Sequence, residues 1–275
     1  MPQIRCLSVI AITVVSLLAG IVEGEADSLT PSHFVPFSPE KCENPPYRTR
    51  IISKNPLVIY IANFLTDKEM KHVLEVAKND FSRSEVAEDD GTSSLANSRT
   101  SQSAVLTRDD TVRCIEERAL NFQGFDTGRA HLESIQLVKY GTGEKYNAHT
   151  DWFDAELQRT AGMGGNRESS FFAYVEASNI TGGGTNFPLI EVPRDEKWCD
   201  YIDCDEPWEN GVTFRPIPGS AVFWQNMLED GSGDPNTLHA GLPVTSGLKI
   251  GMNIWTRQWP MNPIHNADSD DEGYF

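Results

Sequence analysis

The spacing of apolar positions changes from helix-like to strand-like part-way along the 275-residue chain. Between residues 66 and 122 apolar side chains recur three and four apart. Met70, Val73, Leu74 and Ala77 make one stripe, introduced by Thr66-Asp67-Lys68-Glu69, a capping box in which Thr66 and Glu69 can satisfy backbone donors reciprocally. His72 lies off that stripe and reads as solvated. Val112, Ile115, Ala119 and Leu120 mark a second helix over 107–122, stopped by Gly124. From His131 the period is two, with strands expected over 132–140, 170–177, 220–225 and 248–256, and an earlier one over 57–61. In the last strand Ile250, Met252 and Ile254 alternate with Lys249, Gly251, Asn253 and Trp255, so Lys249 and Trp255 share a face suited to lining a cavity. Helices followed by many strands predict a mainly β fold with supporting helices (α+β), an antiparallel jelly roll.

Two polar segments interrupt this pattern. Residues 84–104 are small and polar, equally a disordered excursion or a lid, and the Gly-containing stretch 157–169 reads as a plain connection or a second lid. The ends differ again. Residues 1–26 carry Arg5, an apolar run from Leu7 to Val22 and then small residues, a signal-peptide pattern with cleavage near Gly24 to Ala26. The alternative is a retained anchor, because the run of about 16 residues approaches the roughly 17 that span a bilayer. Residues 27–56, rich in proline and serine, predict an extended arm. One domain over 57–259 and an acidic tail over 260–275 complete the chain.

A net charge of −17 repels phosphate and argues against nucleic acid as a partner. Cys6 would leave with a signal peptide, and the even number that remains, Cys42, Cys114, Cys199 and Cys204, suggests two disulfides. Cys42 with Cys114 and Cys199 with Cys204 is the preferred pairing of three; a zinc site is the competing view, but paired CxxC units are missing. Asn179-Ile180-Thr181 is a glycosylation acceptor. These features fit the endoplasmic reticulum lumen or secretion.

The candidate chemistry centres on residues 140–154, YGTGEKYNAHTDWFD. In an extended segment His149 and Asp151 point to one side and can converge on one metal ion, although a surface turn would leave the same two letters. His239, with Lys249 ten positions later, changes that balance. Two histidines and one carboxylate that leave coordination sites open suit non-haem Fe(II), and a lysine ammonium suits the far carboxylate of a dicarboxylic acid such as 2-oxoglutarate.

The blocks Arg99-Thr100-Ser101, Glu133 to Tyr140 (ESIQLVKY), Tyr146 to Asp151, Gly182 to Pro188 (GGGTNFP), Pro218 to Trp224 (PGSAVFW) and His239 to Lys249 stand in an order and spacing that resembles the prolyl 4-hydroxylase family of Fe(II)/2-oxoglutarate dioxygenases, over roughly residues 55–258. The resemblance implies a double-stranded β-helix. It implies iron at His149, Asp151 and His239, 2-oxoglutarate held by Lys249 with Tyr140 and Thr185, and L-ascorbate as a further cofactor. It also places Arg99, Tyr146, Arg167 and Trp255 near a proline-containing peptide substrate. Two departures, Gly184 where relatives often carry glutamate and the acidic insertion around Cys199 to Glu209, bear on the substrate rather than the iron site. Other side chains or small molecules as substrates, and a non-catalytic jelly-roll binding module, are the competing readings. Nothing in the chain requires a partner subunit, and a membrane partner follows only if the N-terminal segment is retained.

Overall fold

A computed structural model describes residues 37–38, 41–87, 90, 92–124, 127–193 and 195–262. The chain divides into units of residues 1–36 and 37–275, and every described residue belongs to the second. The signal or anchor segment, and all but the first residues of the acidic tail, therefore lie outside the described residues.

In chain order the elements are β1 (Arg48–Lys54), β2 (Leu57–Ala62), α1 (Asp67–Ala77), β3 (Ser82–Arg83), β4 (Val86–Ala87), β5 (Ser93–Ser94), β6 (Gln102–Val105), α2 (Asp110–Gln123), β7 (Gln136–Tyr140), β8 (Tyr146–His149), β9 (Arg167–Gly182), β10 (Thr185–Phe187), β11 (Val212–Phe214), β12 (Ala221–Gln225), β13 (His239–Gly241) and β14 (Val244–Arg257). Eight strands form one sheet in the order β1-β2-β12-β9-β14-β7-β6-β3, and four form a second, β11-β10-β13-β8, with every pairing antiparallel. This is the jelly roll that the strand pattern predicts.

Alternation along the central strands sorts side chains into two cores. Phe171, Ala173, Val175, Phe223, Ile250, Met252 and Ile254 pack with Val73, Ala77, Val112, Ile115 and Ala119 of the two helices. The residues between them, Phe172, Tyr174, Val222 and Trp224, face the smaller sheet and meet Phe187, Val212 and Phe214. Gly251 is required on this inner side, because a Cβ there would stand 2.1 Å from the Phe172 ring. Strands β9, β12 and β14 thus present one face to the helices and the other to the smaller sheet.

Several sequence expectations shift. The Thr66–Glu69 capping box forms, and Glu69 additionally pairs with buried Arg118 of α2 at 2.7 Å, tying the helices together. The second helix starts at Asp110 rather than 107, since the Asp109 side chain caps it by accepting from the Val112 N–H; Gly124 ends it at φ +67°. His72 is not simply solvated: its Nε2 meets the Asp109 carboxylate, half-exposed. Residues 48–54, expected within the extended arm, are the edge strand β1, which apolar alternation could not reveal because its first four positions are exposed. The strand expected from 132 begins at 136, after a short 3-10 turn over Arg129–His131. Both expected disulfides, Cys42–Cys114 and Cys199–Cys204, are formed.

The two candidate lids behave differently. Among the described residues of the first segment, β3 pairs β6 at the edge of the large sheet, β4 pairs β5 as a separate two-stranded ribbon, and Ser98 and Thr100 bond to Asn147 and Lys145 at β8. The stretch from 157 is shorter than expected, because β9 already starts at Arg167. It is also anchored, through Arg257 to the Gln158 and Gly165 carbonyls and through the Trp259 N–H to Gly164. A second lid there is not supported. Among the described residues no helix is long and apolar enough to cross a membrane.

Candidate active site

Between the sheets lies a cavity of about 870 Å³, lined among others by Tyr140, Tyr146, His149, Asp151, Arg167, Thr185, His239, Lys249 and Trp255. Strand β14 contributes to both of its ends, because Lys249 and Trp255, six residues apart, lie on one face of that strand. One end holds a metal-ligand set and the other a buried cation.

At the first end, β8 pairs β13 so that His149 stands opposite His239. Asp151 follows two residues after His149, and one ligand atom from each of the three lies within 4.8 Å of the others. Their orientation is settled by hydrogen bonds. His149 Nδ1 donates to the Asn147 carbonyl at 2.8 Å and His239 Nδ1 to the Thr237 carbonyl at 2.9 Å, which turns both Nε2 atoms towards Asp151 Oδ1, each 3.7 Å away. Asp151 Oδ2 accepts from the Ser170 hydroxyl at 2.7 Å and from Trp255 Nε1 at 3.0 Å. Three donor atoms therefore converge with no protein donor between them, and the set fits a divalent metal with open positions.

Protonation agrees with that geometry. Burial, reinforced by neighbouring His239, pushes His149 down to about 3, so its imidazole is neutral. Burial alone would raise the Asp151 carboxyl, but His239, His149, Arg167 and the Ser170 hydroxyl outweigh it and hold it at about 2, ionised.

At the other end Lys249 is fully buried, and its ammonium donates to the Gly183 carbonyl at 2.6 Å beneath the Tyr140 and Phe172 rings, 4.6 and 5.6 Å from their centroids. Among the described residues no carboxylate pairs with it, and burial pushes it down to about 7. Tyr140 stands opposite Lys249 in the sheet, pushed up to about 12 by burial and therefore a neutral donor. Thr185 accepts from the Tyr174 hydroxyl at 2.8 Å, which leaves its own proton free for the cavity. An anion is what this end lacks.

The residues expected near a substrate all border the cavity, and most are committed to protein partners. Arg99 is buried, donating to the Glu85 carbonyl and to Gln136 and lying over the Tyr146 ring. Tyr146 in turn stacks on His149 with centroids 3.6 Å apart. Arg167 pairs with Glu133 at 2.8 and 2.9 Å and lies 3.7 Å from the centroid of Trp255. Trp255 orients Asp151. Glu133 also meets Arg257 at 2.6 Å; burial would raise its carboxyl, but the two guanidiniums hold it below its usual range. Gly184 is closed against the small sheet, where a Cβ would stand 2.5 Å from Thr213.

Sequence reasoning missed Ser170, Asn226, Asp234 and Thr237, which hold the ligands from behind. No local motif marks them; Ser170 and Asn226 meet across 56 positions of chain.

Comparison with known proteins agrees with this site. Residues 135–257 match the 2OG-Fe(II) oxygenase superfamily, a span that includes all three clustered ligands and Lys249. A probable prolyl 4-hydroxylase 4 of Arabidopsis thaliana is 32% identical over 76% of this chain and 70% of its own. Prolyl 4-hydroxylase 2 of the same plant is 32% identical over 79% and 72%. Among solved structures, the viral collagen prolyl hydroxylase of Paramecium bursaria Chlorella virus-1, in a 2OG complex, shares the fold with a TM-score of 0.53 at 22% identity, over 73% of this chain and 95% of the other. The chain belongs to the prolyl 4-hydroxylase family of 2OG-Fe(II) oxygenases.

Proposed function

We propose that the protein hydroxylates peptidyl proline, coupling that reaction to conversion of 2-oxoglutarate and dioxygen into succinate and carbon dioxide. The observation that carries this reading is the pairing, in one cavity, of the His149–Asp151–His239 cluster with an uncompensated buried Lys249 at the far end. The three ligands would hold Fe(II), which supplies the oxidising chemistry when dioxygen and the keto acid are bound. Lys249 would receive the distal carboxylate of 2-oxoglutarate, with Tyr140 and Thr185 donating hydrogen bonds. L-Ascorbate would keep the iron reduced.

The peptide would enter along the Tyr146 and Trp255 rings, while Arg99 and Arg167, already bonded to protein groups, shape the wall beside it. The sheltered walls exclude water from the reacting C–H bond. The two disulfides suit an oxidising compartment, so we place the enzyme in the endoplasmic reticulum lumen or outside the cell. Asn179 is exposed, as a glycosylation acceptor must be.

Mass spectrometry of proline-rich peptides incubated with the protein, Fe(II), 2-oxoglutarate and ascorbate tests the reading, with His239→Ala as control. The expected result is one added oxygen on proline in the wild-type sample alone. Succinate without modified proline would move the activity to another substrate, and neither product would reject the enzyme.

A further inference from the structure

Asp151 and His239 come from distant parts of the sequence, yet a chain of hydrogen bonds joins them behind the cavity wall. Ser170 Oγ donates to Asp151 Oδ2 at 2.7 Å, and Asn226 Nδ2 donates to Ser170 Oγ at 2.9 Å. The Asn226 carbonyl accepts from the Asp234 N–H at 2.8 Å. The Asp234 carbonyl accepts from the Thr237 hydroxyl at 2.7 Å, and the Thr237 carbonyl accepts from His239 Nδ1 at 2.9 Å. Trp152 closes the circuit by donating from Nε1 to the Asp234 carbonyl at 3.1 Å, one residue after Asp151. Ser170, Asn226 and Thr237 are fully buried and Asp234 nearly so.

Proton counting gives the side-chain part of this chain its direction. A serine hydroxyl has one proton. With that proton on Asp151, Ser170 Oγ can only accept from Asn226, which fixes the amide with its nitrogen toward Ser170. Asn226 therefore removes the competing use of the hydroxyl proton. Because Ser170 and Trp255 both saturate Oδ2, only Oδ1 remains for a metal, and it is the oxygen that faces both Nε2 atoms. The backbone of Asn226 is anchored at the same point to the Glu168 carbonyl, so the relay rests on the end of the β9–β12 pairing rather than on a loop.

We propose that Asn226 and Ser170 are positioning residues that set Asp151 as a one-oxygen ligand in register with His239. The inference rests on the proposed iron site. It goes beyond that site by assigning ligand geometry to two residues that touch neither metal nor substrate. Supporting contacts of this kind change metal affinity by about 10- to 100-fold.

The test is Mn(II) binding, followed by electron paramagnetic resonance of the free ion, with folding checked by circular dichroism. Wild type should bind and Asp151→Ala should not; equal binding by these two would reject the iron site itself. Given that control, Ser170→Ala should weaken binding about 10-fold and Asn226→Leu a few-fold, while Ser170→Thr, which keeps the hydroxyl, should bind like wild type. The double variant Ser170→Ala/Asn226→Leu should be no weaker than Ser170→Ala, because Asn226 acts through Ser170. Unchanged affinity in Ser170→Ala, or losses that simply add, would overturn the relay. Should Ser170→Ala fail to fold, Trp255→Phe removes the other donor to Oδ2 from a half-buried position. A loss of about 10-fold would then support the role of Oδ2 saturation, and wild-type affinity would overturn it.

Discussion

The two ends of the cavity solve opposite electrostatic problems. At the metal end Asp151 accepts from Ser170 and Trp255 while the two histidines donate to the Asn147 and Thr237 carbonyls, and the three ligand atoms left over point at one another. At the lysine end an amine that burial holds at about 7 has one carbonyl and two ring faces for company. The first end is preorganised by its own hydrogen bonds; the second stays electrostatically incomplete until an anion arrives. Preorganisation favours the folded protein, whereas an unpaired buried charge costs stability that ligand binding returns.

Replacing the charge should therefore have effects of opposite sign on folding and binding. Lys249→Met keeps most of the volume and removes the ammonium. Weakening of 2-oxoglutarate by about 2–5 kcal/mol is expected, from loss of a desolvated charge partner. The ligand-free protein should become more stable by about 1–4 kcal/mol. Calorimetric titration and thermal melting of the same preparation measure both, and a destabilised ligand-free variant would break the contrast between the two ends.

Glu133 belongs with the preorganised end. Glu133→Gln leaves Arg167 and Arg257 without their shared carboxylate, and a loss of about 3–5 kcal/mol is expected for breaking such a pair by removing one partner. Thermal melting in the absence of ligand reads it. Substrate-free destabilisation here, against stabilisation in Lys249→Met, is the sharpest form of the comparison.

Much of this was legible from the letters alone. The spacing of His149 and Asp151 allows a metal site as well as a surface turn, and it takes His239 and Lys249 to tip the balance; Lys249 and Trp255 share a face by strand alternation, because a period of two assigns faces without knowledge of the rest of the fold. The helices were equally plain from their stripes and from the Thr66–Glu69 box. Hidden were features that depend on distant partners. Ser170 reads as one more strand residue, and Asn226 and Asp234 carry no signal of their own until β9, β12 and β13 come together. The strands of the smaller sheet, three or four residues each, are too short to establish a period. Strand β1 carries exposed arginines and threonine where a buried strand would alternate, as an edge strand often does.

The lysine end should also show itself through protons. Burial holds free Lys249 at about 7, below its unfolded value near 10.5. For a depressed group, stability is present above the unfolded value. It is lost as pH falls from about 10.5 towards about 7, since the unfolded chain binds a proton that the folded chain resists. A bound carboxylate reverses this by favouring the ammonium. Between pH 7.5 and 9, roughly, binding of 2-oxoglutarate should take up close to one proton, and affinity should fall as pH rises. Titration at pH 8 in two buffers of different ionisation enthalpy measures the uptake. Equal apparent enthalpies in both would mean that Lys249 is already charged, and the incomplete end would then be complete.

The smallest expected effect comes from Tyr174, which touches the lysine end only through Thr185. Its hydroxyl, kept protonated by burial, donates to Thr185 Oγ1, and that contact leaves the threonine proton nowhere to go but the cavity. Tyr174→Phe should free the threonine rotor and weaken 2-oxoglutarate by about 0.5–1.5 kcal/mol, the worth of one neutral hydrogen bond. Metal binding should not change, because Thr185 supplies none of the clustered ligand atoms. If Tyr174→Phe weakened Mn(II) as much as it weakened the keto acid, the two ends would be coupled through the small sheet. In that case β10 and β13, which pair at Asn186 and Ala240, would be the path to examine.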